Sequence, residues 1–327
     1  MALPLARGSL LVVYDAEDVP EPGQLREAAA RFARAPAGVA ALQGRLLIDN
    51  PEDSWAARCF TLEYAGLFGV LNPALARWRL PMPLGGTSTH IRTQVLRDLH
   101  GWDAWNVTED ADLGIRLALA GYEVGDLPSG TVEEAPVLWR AWLRQRVRWI
   151  KGFMQTSLTH GRRPIATLRR LGPLRGLCAL ALVPGTALSA LLYPAYLVLA
   201  VRDFLLSPAP PAPTFWANLP TGLAITLFGA GLAVLTLPAA LGCARRGWRD
   251  LAWFVPALPV YFCMVSAAAW LALIELVRAP NRWNKTEHGL ARSSRSGTLR
   301  IRPARATSDR ALRDGGCRRR SDAARAL

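Results

Sequence analysis

Three acids fall within four positions in Thr108-Glu109-Asp110-Ala111-Asp112, directly ahead of an apolar run with helical spacing. A carboxylate fixed at the head of a helix and aimed into a cleft can act as a general base. The same residues also suit a helix start, with Thr108 as N-cap and the acids in a first turn whose partial positive charge favours them. A second acidic stretch, Asp15-Ala16-Glu17-Asp18, follows the apolar Leu10–Tyr14. Acids at the carboxyl end of a core strand lie where open α/β sheets place ligand groups. Hard oxygen ligands at this spacing can reach Mg²⁺ or Mn²⁺, an ion that neutralises a diphosphate. The plainer alternative is an acidic turn before a helix.

Two further stretches carry chemistry. Pro81-Met82-Pro83-Leu84-Gly85-Gly86-Thr87-Ser88 cannot be a regular element. Its paired glycines permit close backbone approach to a ligand, or simply make a loop. Glu133-Glu134-Ala135-Pro136 opens an expected helix over Val137–Phe153, with Trp139, Trp142, Arg144, Gln145, Arg146, Arg148, Trp149 and Lys151 along it. Trp142, Gln145 and Trp149, spaced by three and four, are expected on one face. Arginines there suit an anion and tryptophans a sugar face, and the same composition suits a helix lying at a membrane interface.

These groups need a scaffold. Strands are expected at Leu10–Tyr14, near Val39–Leu42 and at Tyr122–Leu127. Helices are expected over Gln24–Ala33, Ser54–Leu71, Thr93–Leu99 and Asp110–Ala120, the last closed by Gly121. A loop is expected from Gln43 through Gly44 and Arg45 to Asn50. Strands alternating with helices make the first half an α/β domain.

Bulk composition points elsewhere for the second half. Net charge is +14, yet 51% of the 327 residues are hydrophobic. That pairing is unusual for a soluble enzyme and ordinary for a membrane protein with basic cytoplasmic parts. Leu174–Val201, Ala217–Cys243 and Leu251–Val277 are each long enough to cross about 30 Å of hydrocarbon as a helix. With Met1–Arg170 cytoplasmic, three crossings would put the arginine-rich tail outside, against the charge rule. One of the proline-interrupted runs, the first or the third, is therefore expected to be re-entrant, doubled or interfacial. After Ala291 eleven Arg stand against three Asp with few large apolar residues. This tail is expected to be disordered and to suit an anionic membrane surface better than nucleic acid. The five cysteines form no CxxC pair and the four histidines are isolated, so no zinc site is expected. No signal peptide is expected, because Met1–Arg7 runs straight into the first strand.

In order, these stretches resemble the membrane-integrated family-2 glycosyltransferases, the group of bacterial cellulose synthase and hyaluronan synthase, over about Asp15–Leu290. Asp15-Ala16-Glu17-Asp18 looks like the family's metal motif. Thr108-Glu109-Asp110 is similar to its Thr-Glu-Asp motif, and Gln145-Arg146-Val147-Arg148-Trp149 to its Gln-x-x-Arg-Trp signature. Trp283–Gly289 faintly resembles a gating loop. The resemblance implies a GT-A-like domain over 1–160 ending in an interfacial helix, transmembrane helices over 174–278, a gating-like loop over 279–290 and a tail over 291–327. It implies Asp110 as catalytic base and Asp15, Glu17 and Asp18 as ligands of Mg²⁺ or Mn²⁺. Glu109, Gly86, Thr87, Gln145, Arg146, Arg148 and Trp149 become the donor and acceptor contacts, with Gln145 and Arg148 on the diphosphate and Trp149 against the acceptor sugar. The reaction implied is inverting transfer from a nucleotide-sugar, UDP-linked by expectation, to a glycan or lipid-linked acceptor at the inner cell membrane. The catalytic domain would be cytoplasmic, the chain multi-pass, and no nucleic acid would be involved. Two departures stand out. Only about 14 residues precede Asp15, so the strands and helices that bind the nucleotide base in relatives are expected to be lacking. Glu17 stands where many relatives have Asp. The rivals are a non-processive lipid glycosyltransferase and an inactive membrane fragment.

Overall fold

The computed structural model describes residues 3–202 and 214–282, all within one compact unit. The tail from 291 and the loop residues beyond Arg282 lie outside the described residues.

The first half is built on a five-stranded mixed sheet. Its strands are β1 (Leu10–Val13), β2 (Val19–Pro20), β3 (Val39–Ile48), β4 (Thr89–Arg92) and β5 (Glu123–Glu133), in the order β1-β4-β3-β5-β2. Only the β3–β5 pair is parallel. The loop expected from Gln43 to Asn50 is instead mostly strand, because β3 runs on to Ile48. Its polar residues find partners in place. The buried Gln43 amide donates to the carbonyls of Gly44 and Thr87 and accepts from the Gly85 N–H, and Arg45 pairs with Asp126 at 2.8 Å. A satisfied polar side chain does not break a strand. The short β4 has no counterpart in the sequence reading; four residues give too little alternation to register.

Helix α1 (Gln24–Arg34) covers one face through Ala28 and Phe32, over Leu42 and Leu127. The other face packs against α4 (Thr93–Asp98) and α5 (Glu109–Leu119), whose Leu113 and Leu117 are fully buried with Ala41, Ile91 and Val124. A fully buried leucine contributes about 1.5–3 kcal/mol. Two of them one turn apart fix α5, and with it the acids at its head. Gly121, at φ 87°, ends that segment in the left-handed conformation expected of it. Thr108 caps the helix by position but not by its side chain. Its hydroxyl is packed against Gly152, where a Cβ would overlap it.

The remaining helices are α2 (Trp55–Gly66), α3 (Asn72–Arg77), α6 (Trp139–Gly161), α7 (Pro164–Leu171), α8 (Pro173–Leu182), α9 (Pro184–Val201), α10 (Phe215–Arg246), α11 (Arg249–Ala252) and α12 (Leu258–Arg278). The Ser54 side chain caps α2 by accepting from Ala57 N–H. The helix expected over Ser54–Leu71 ends in a π-helical turn, Leu67–Leu71, which leads into α3. Small residues bring α2 onto α10: a Cβ on Gly66 would stand 2.9 Å from Ala239 N, and one on Gly242 would overlap Ala65 O. Such close backbone approach is how apolar helices associate without a hydrophobic driving force between them.

Among the described residues, three segments are long and apolar enough to cross a membrane: Pro184–Val201, Thr221–Arg246 and Arg249–Arg278. Their apolar side chains face outward, Leu192 at 54% and Val234 at 72% exposure, the pattern of a helix whose neighbour is lipid. The first apolar run is broken at Val183-Pro184. Its leading part, α8, docks on the α/β domain, where Cys178 and Leu182 join the sheet core and Arg175 donates to Tyr122 O at 3.1 Å.

Candidate active site

Both acidic stretches line one cleft of about 450 Å³, which is the size of a small-ligand pocket. Asp15, Glu17 and Asp18 reach it from the turn after β1, and Glu109 and Asp110 from the head of α5. Gly85, Gly86 and Thr87 form a third side, and Gln145, Arg148 and Trp149 a fourth, from α6.

Asp110 is strongly changed by this setting. Burial, then the neighbouring Glu109, pushes its carboxyl from 3.8 up to about 7, against the Ala111 N–H bond at 2.8 Å and the charge of Arg148. A base with that value is half ionised near neutral pH and still basic enough to accept a proton. Gly86 makes room for it. At φ 81°, an added Cβ would stand 2.7 Å from Asp110 Oδ2. Arg148 lines the same cleft, where burial works against its charge and Asp110, Glu109 and Asp15 favour it.

The turn after β1 is braced. Asp18 accepts from the Asp15 N–H at 2.9 Å and from the Thr87 hydroxyl, which also accepts from Asp15 N–H at 3.2 Å. Thr87 therefore holds the acidic turn in shape while lining the cleft, and Asp18 is engaged in the same brace. Glu133 and Glu134 complete this side from the end of β5. Burial and the charges of Asp18, Asp15 and Glu17 hold the Glu133 carboxyl far above its usual range. This crowding of like charge is what a divalent cation would relieve. No group of three or more His, Cys, Asp or Glu forms a ready-made cage among the described residues. Magnesium commonly takes one or two carboxylates and completes its shell with water and substrate phosphate, so the acids present fit it.

On α6, Gln145, Arg148 and Trp149 turn to the cleft, and the buried Gln145 Oε1 has no hydrogen-bond partner among the described residues. Trp149 stands beside Tyr64 and Phe60, with ring centroids at 6.5 and 5.9 Å, so the cleft has an aromatic wall. Arg146 corrects the expectation of a ligand contact. It is buried away from the cleft, donates to both Glu63 oxygens, one at 2.7 Å, and to Tyr261 at 2.8 Å, and lies over the Trp149 ring. Trp142 does not share the cleft with Trp149. It sits two turns earlier, buried, and donates to Tyr261 at 3.2 Å. Glu63, Tyr64, Phe60, Gln43, Glu133 and Glu134 were not singled out from the sequence as site residues. Glu133-Glu134 carried a usable signal, acids at the end of a strand, but was read as the opening of a helix.

An α/β sheet with acids, a glycine turn and an Arg/Trp helix converging on one cleft, followed by apolar helices, defines a GT-A-like glycosyltransferase with candidate membrane spans. The chain belongs to glycosyl transferase family group 2, which matches residues 10–278. It is 28% identical over 149 residues to a probable glycosyltransferase of Bacillus subtilis, covering 45% of this chain and 35% of that protein. It is 31% identical over 165 residues to the beta-monoglucosyldiacylglycerol synthase of a Synechocystis strain, covering 48% and 32%. A probable glucomannan 4-beta-mannosyltransferase of rice is 28% identical over 145 residues, covering 43% and 24%. The chain thus spans no more than about a third of the length of these curated relatives. Among solved structures, a mannosyltransferase from Pyrobaculum calidifontis in complex with GDP-Man and Mn²⁺ is 18% identical, covering 84% of this chain and 64% of that one at a TM-score of 0.40.

Proposed function

We propose that the chain transfers a sugar, with inversion, from a nucleotide-sugar to a hydroxyl of a glycan or lipid-linked acceptor at a membrane surface. The observation that carries this reading is that the acidic turn, Asp110 and Arg148 all line one cleft. The Asp110 carboxylate takes the acceptor hydroxyl proton as that oxygen attacks the anomeric carbon. The bond from that carbon to the diphosphate breaks on the opposite face, and the nucleoside diphosphate leaves with the electron pair. Gln145 and Arg148 hold the diphosphate, the guanidinium by charge-assisted hydrogen bonds. Trp149, with Phe60 and Tyr64 behind it, stacks on the acceptor sugar, and Glu109 and Gly86 border the transferred sugar. Asp15 and Glu17, with Asp18 bracing the turn, would hold Mg²⁺ or Mn²⁺; bound there, the ion neutralises the leaving diphosphate.

UDP-sugars are the first donors to try. Homology to enzymes named for diacylglycerol and glucomannan products supports both kinds of acceptor. We place the α/β domain on the cytoplasmic side of the inner membrane, with the apolar helices as a multi-pass anchor. The test is to reconstitute the full chain in lipid nanodiscs with a panel of nucleotide-sugars and Mn²⁺. Released nucleoside diphosphate is measured, and the product anomer is read by NMR. Release with one donor and an inverted product supports the reading. A retained anomer removes the mechanism, and no release with any donor removes the activity.

A further inference from the structure

The loop that delivers Asp110 is held by a helix that also holds the end of the last apolar segment. On α6, Gln155 Oε1 accepts from the Val107 N–H at 3.0 Å, and Gln155 Nε2 donates to Pro280 O at 3.0 Å. One residue on, Thr156 accepts from the Asn106 side chain at 2.7 Å. One turn back, Gly152 receives Thr108, and the fully buried Lys151 pairs with Glu275 at 2.6 Å and donates to Arg282 O. Two turns of one helix thus grip both the segment 106–108, directly before the acidic cluster, and the exit of α12 at 280–282.

We propose that Gln155 is a positioning residue that couples the polypeptide leaving α12 to the loop carrying Asp110, so that displacement of one displaces the other. The chemistry requires an amide. A single side chain must accept from one backbone N–H and donate to one backbone C=O, which among side chains of this length only glutamine does without a charge. Both partners are main-chain groups, so the bridge transmits backbone position. Lys151 makes the far end stiff: an ion pair with one wholly buried member and a second hydrogen bond fixes Arg282 relative to the helix. The proposal rests on the reading of Asp110 as the base, because only then does the loop position set the rate of transfer.

Glutamate is the informative substitution. Gln155→Glu keeps an acceptor for Val107 N–H and loses the donor to Pro280; Gln155→Met loses both. The experiment measures amide hydrogen exchange in peptides covering 105–109 and 279–282, alongside kcat and donor KM, on the full chain in nanodiscs. The coupling predicts that Gln155→Glu speeds exchange at 105–109 although its local bond survives, lowers kcat about tenfold, and leaves donor KM within about twofold. Gln155→Met should speed exchange further at both segments. A purely local role predicts wild-type exchange at 105–109 and wild-type kcat in Gln155→Glu, and that result overturns the proposal. Should the wild-type chain transfer no sugar, the transfer reading fails, and the exchange arm still decides the coupling.

Discussion

At Asp110 the burial that readies a carboxylate for proton transfer also works against the fold. Its folded value, about 7, lies above the ordinary 3.8, so the folded chain keeps a proton that the unfolded chain has released over that interval. Stability therefore falls as pH rises from about 4 to about 7, the reverse of a salt-bridged acid. Asp110→Asn removes this penalty. Its thermal unfolding temperature in detergent should match wild type near pH 4 and exceed it by a growing margin toward pH 8. A gain that shrinks with rising pH would contradict the assignment. With Asp110 as the proposed base, activity runs the other way, since the base must be ionised. The kcat/KM profile should rise to a plateau through an apparent pKa near 7, and a plateau already reached by pH 5 would mean another group is titrating. In the sequence, Asp110 and its acidic neighbours are visible as a cluster ahead of an apolar helix, open to a capping or a catalytic reading until the motif resemblance is added. The shift is not legible there, because it comes chiefly from burial, a matter of tertiary approach, and then from Glu109.

Elements decide which residues of a motif touch the ligand. Arg146 and Arg148 differ by two positions and so point roughly 200° apart around α6. With the cleft on one side and α2 and α12 on another, both directions are packed, and periodicity cannot tell which arginine faces which. The packing assigns Arg146 to Glu63 and Tyr261. Arg146→Met should cost on the order of 3 kcal/mol in unfolding, because it strands Glu63, and adding Glu63→Gln should recover part of that. Equal loss in the single and double variants would argue against the pair. The glycine turn makes a different demand. Gly86→Ala adds a Cβ 2.7 Å from Asp110 Oδ2 and strains a positive φ, so kcat should fall about 10²-fold with the fold retained by circular dichroism. An unchanged rate would mean that Asp110 tolerates displacement. Gln43, which binds the turn before Gly86 from within β3, was hidden because a glutamine beside a glycine and an arginine resembles a loop until its partners are known.

Across the whole molecule, the division into an α/β half and an apolar half was legible because composition changes sharply near Leu174. The detail was not. Pro184 ends a helix whose leading ten residues, about 15 Å long, fall short of a membrane and lie on the α/β domain instead. An apolar surface reads the same to a sheet core as to lipid, so sequence alone could not choose. One run, the first or the third, is expected to be re-entrant, doubled or interfacial; the first is split into α8 and α9, and three helices of crossing length stand among the described residues. The catalytic half leans on these helices: α6 packs on α12, and α2 packs on α10 through Gly66 and Gly242. The cleft and the apolar helices thus form one packed body, which gives the Gln155 bridge a rigid frame to act against.

The most direct measurement sets Asp110→Asn beside wild type in nanodiscs, following nucleoside diphosphate binding with Mn²⁺ by calorimetry and sugar transfer by product formation on the same samples. Asp110→Asn should bind within about twofold of wild type while transfer falls by roughly 10²–10⁴. Transfer at the wild-type rate by Asp110→Asn would contradict the account.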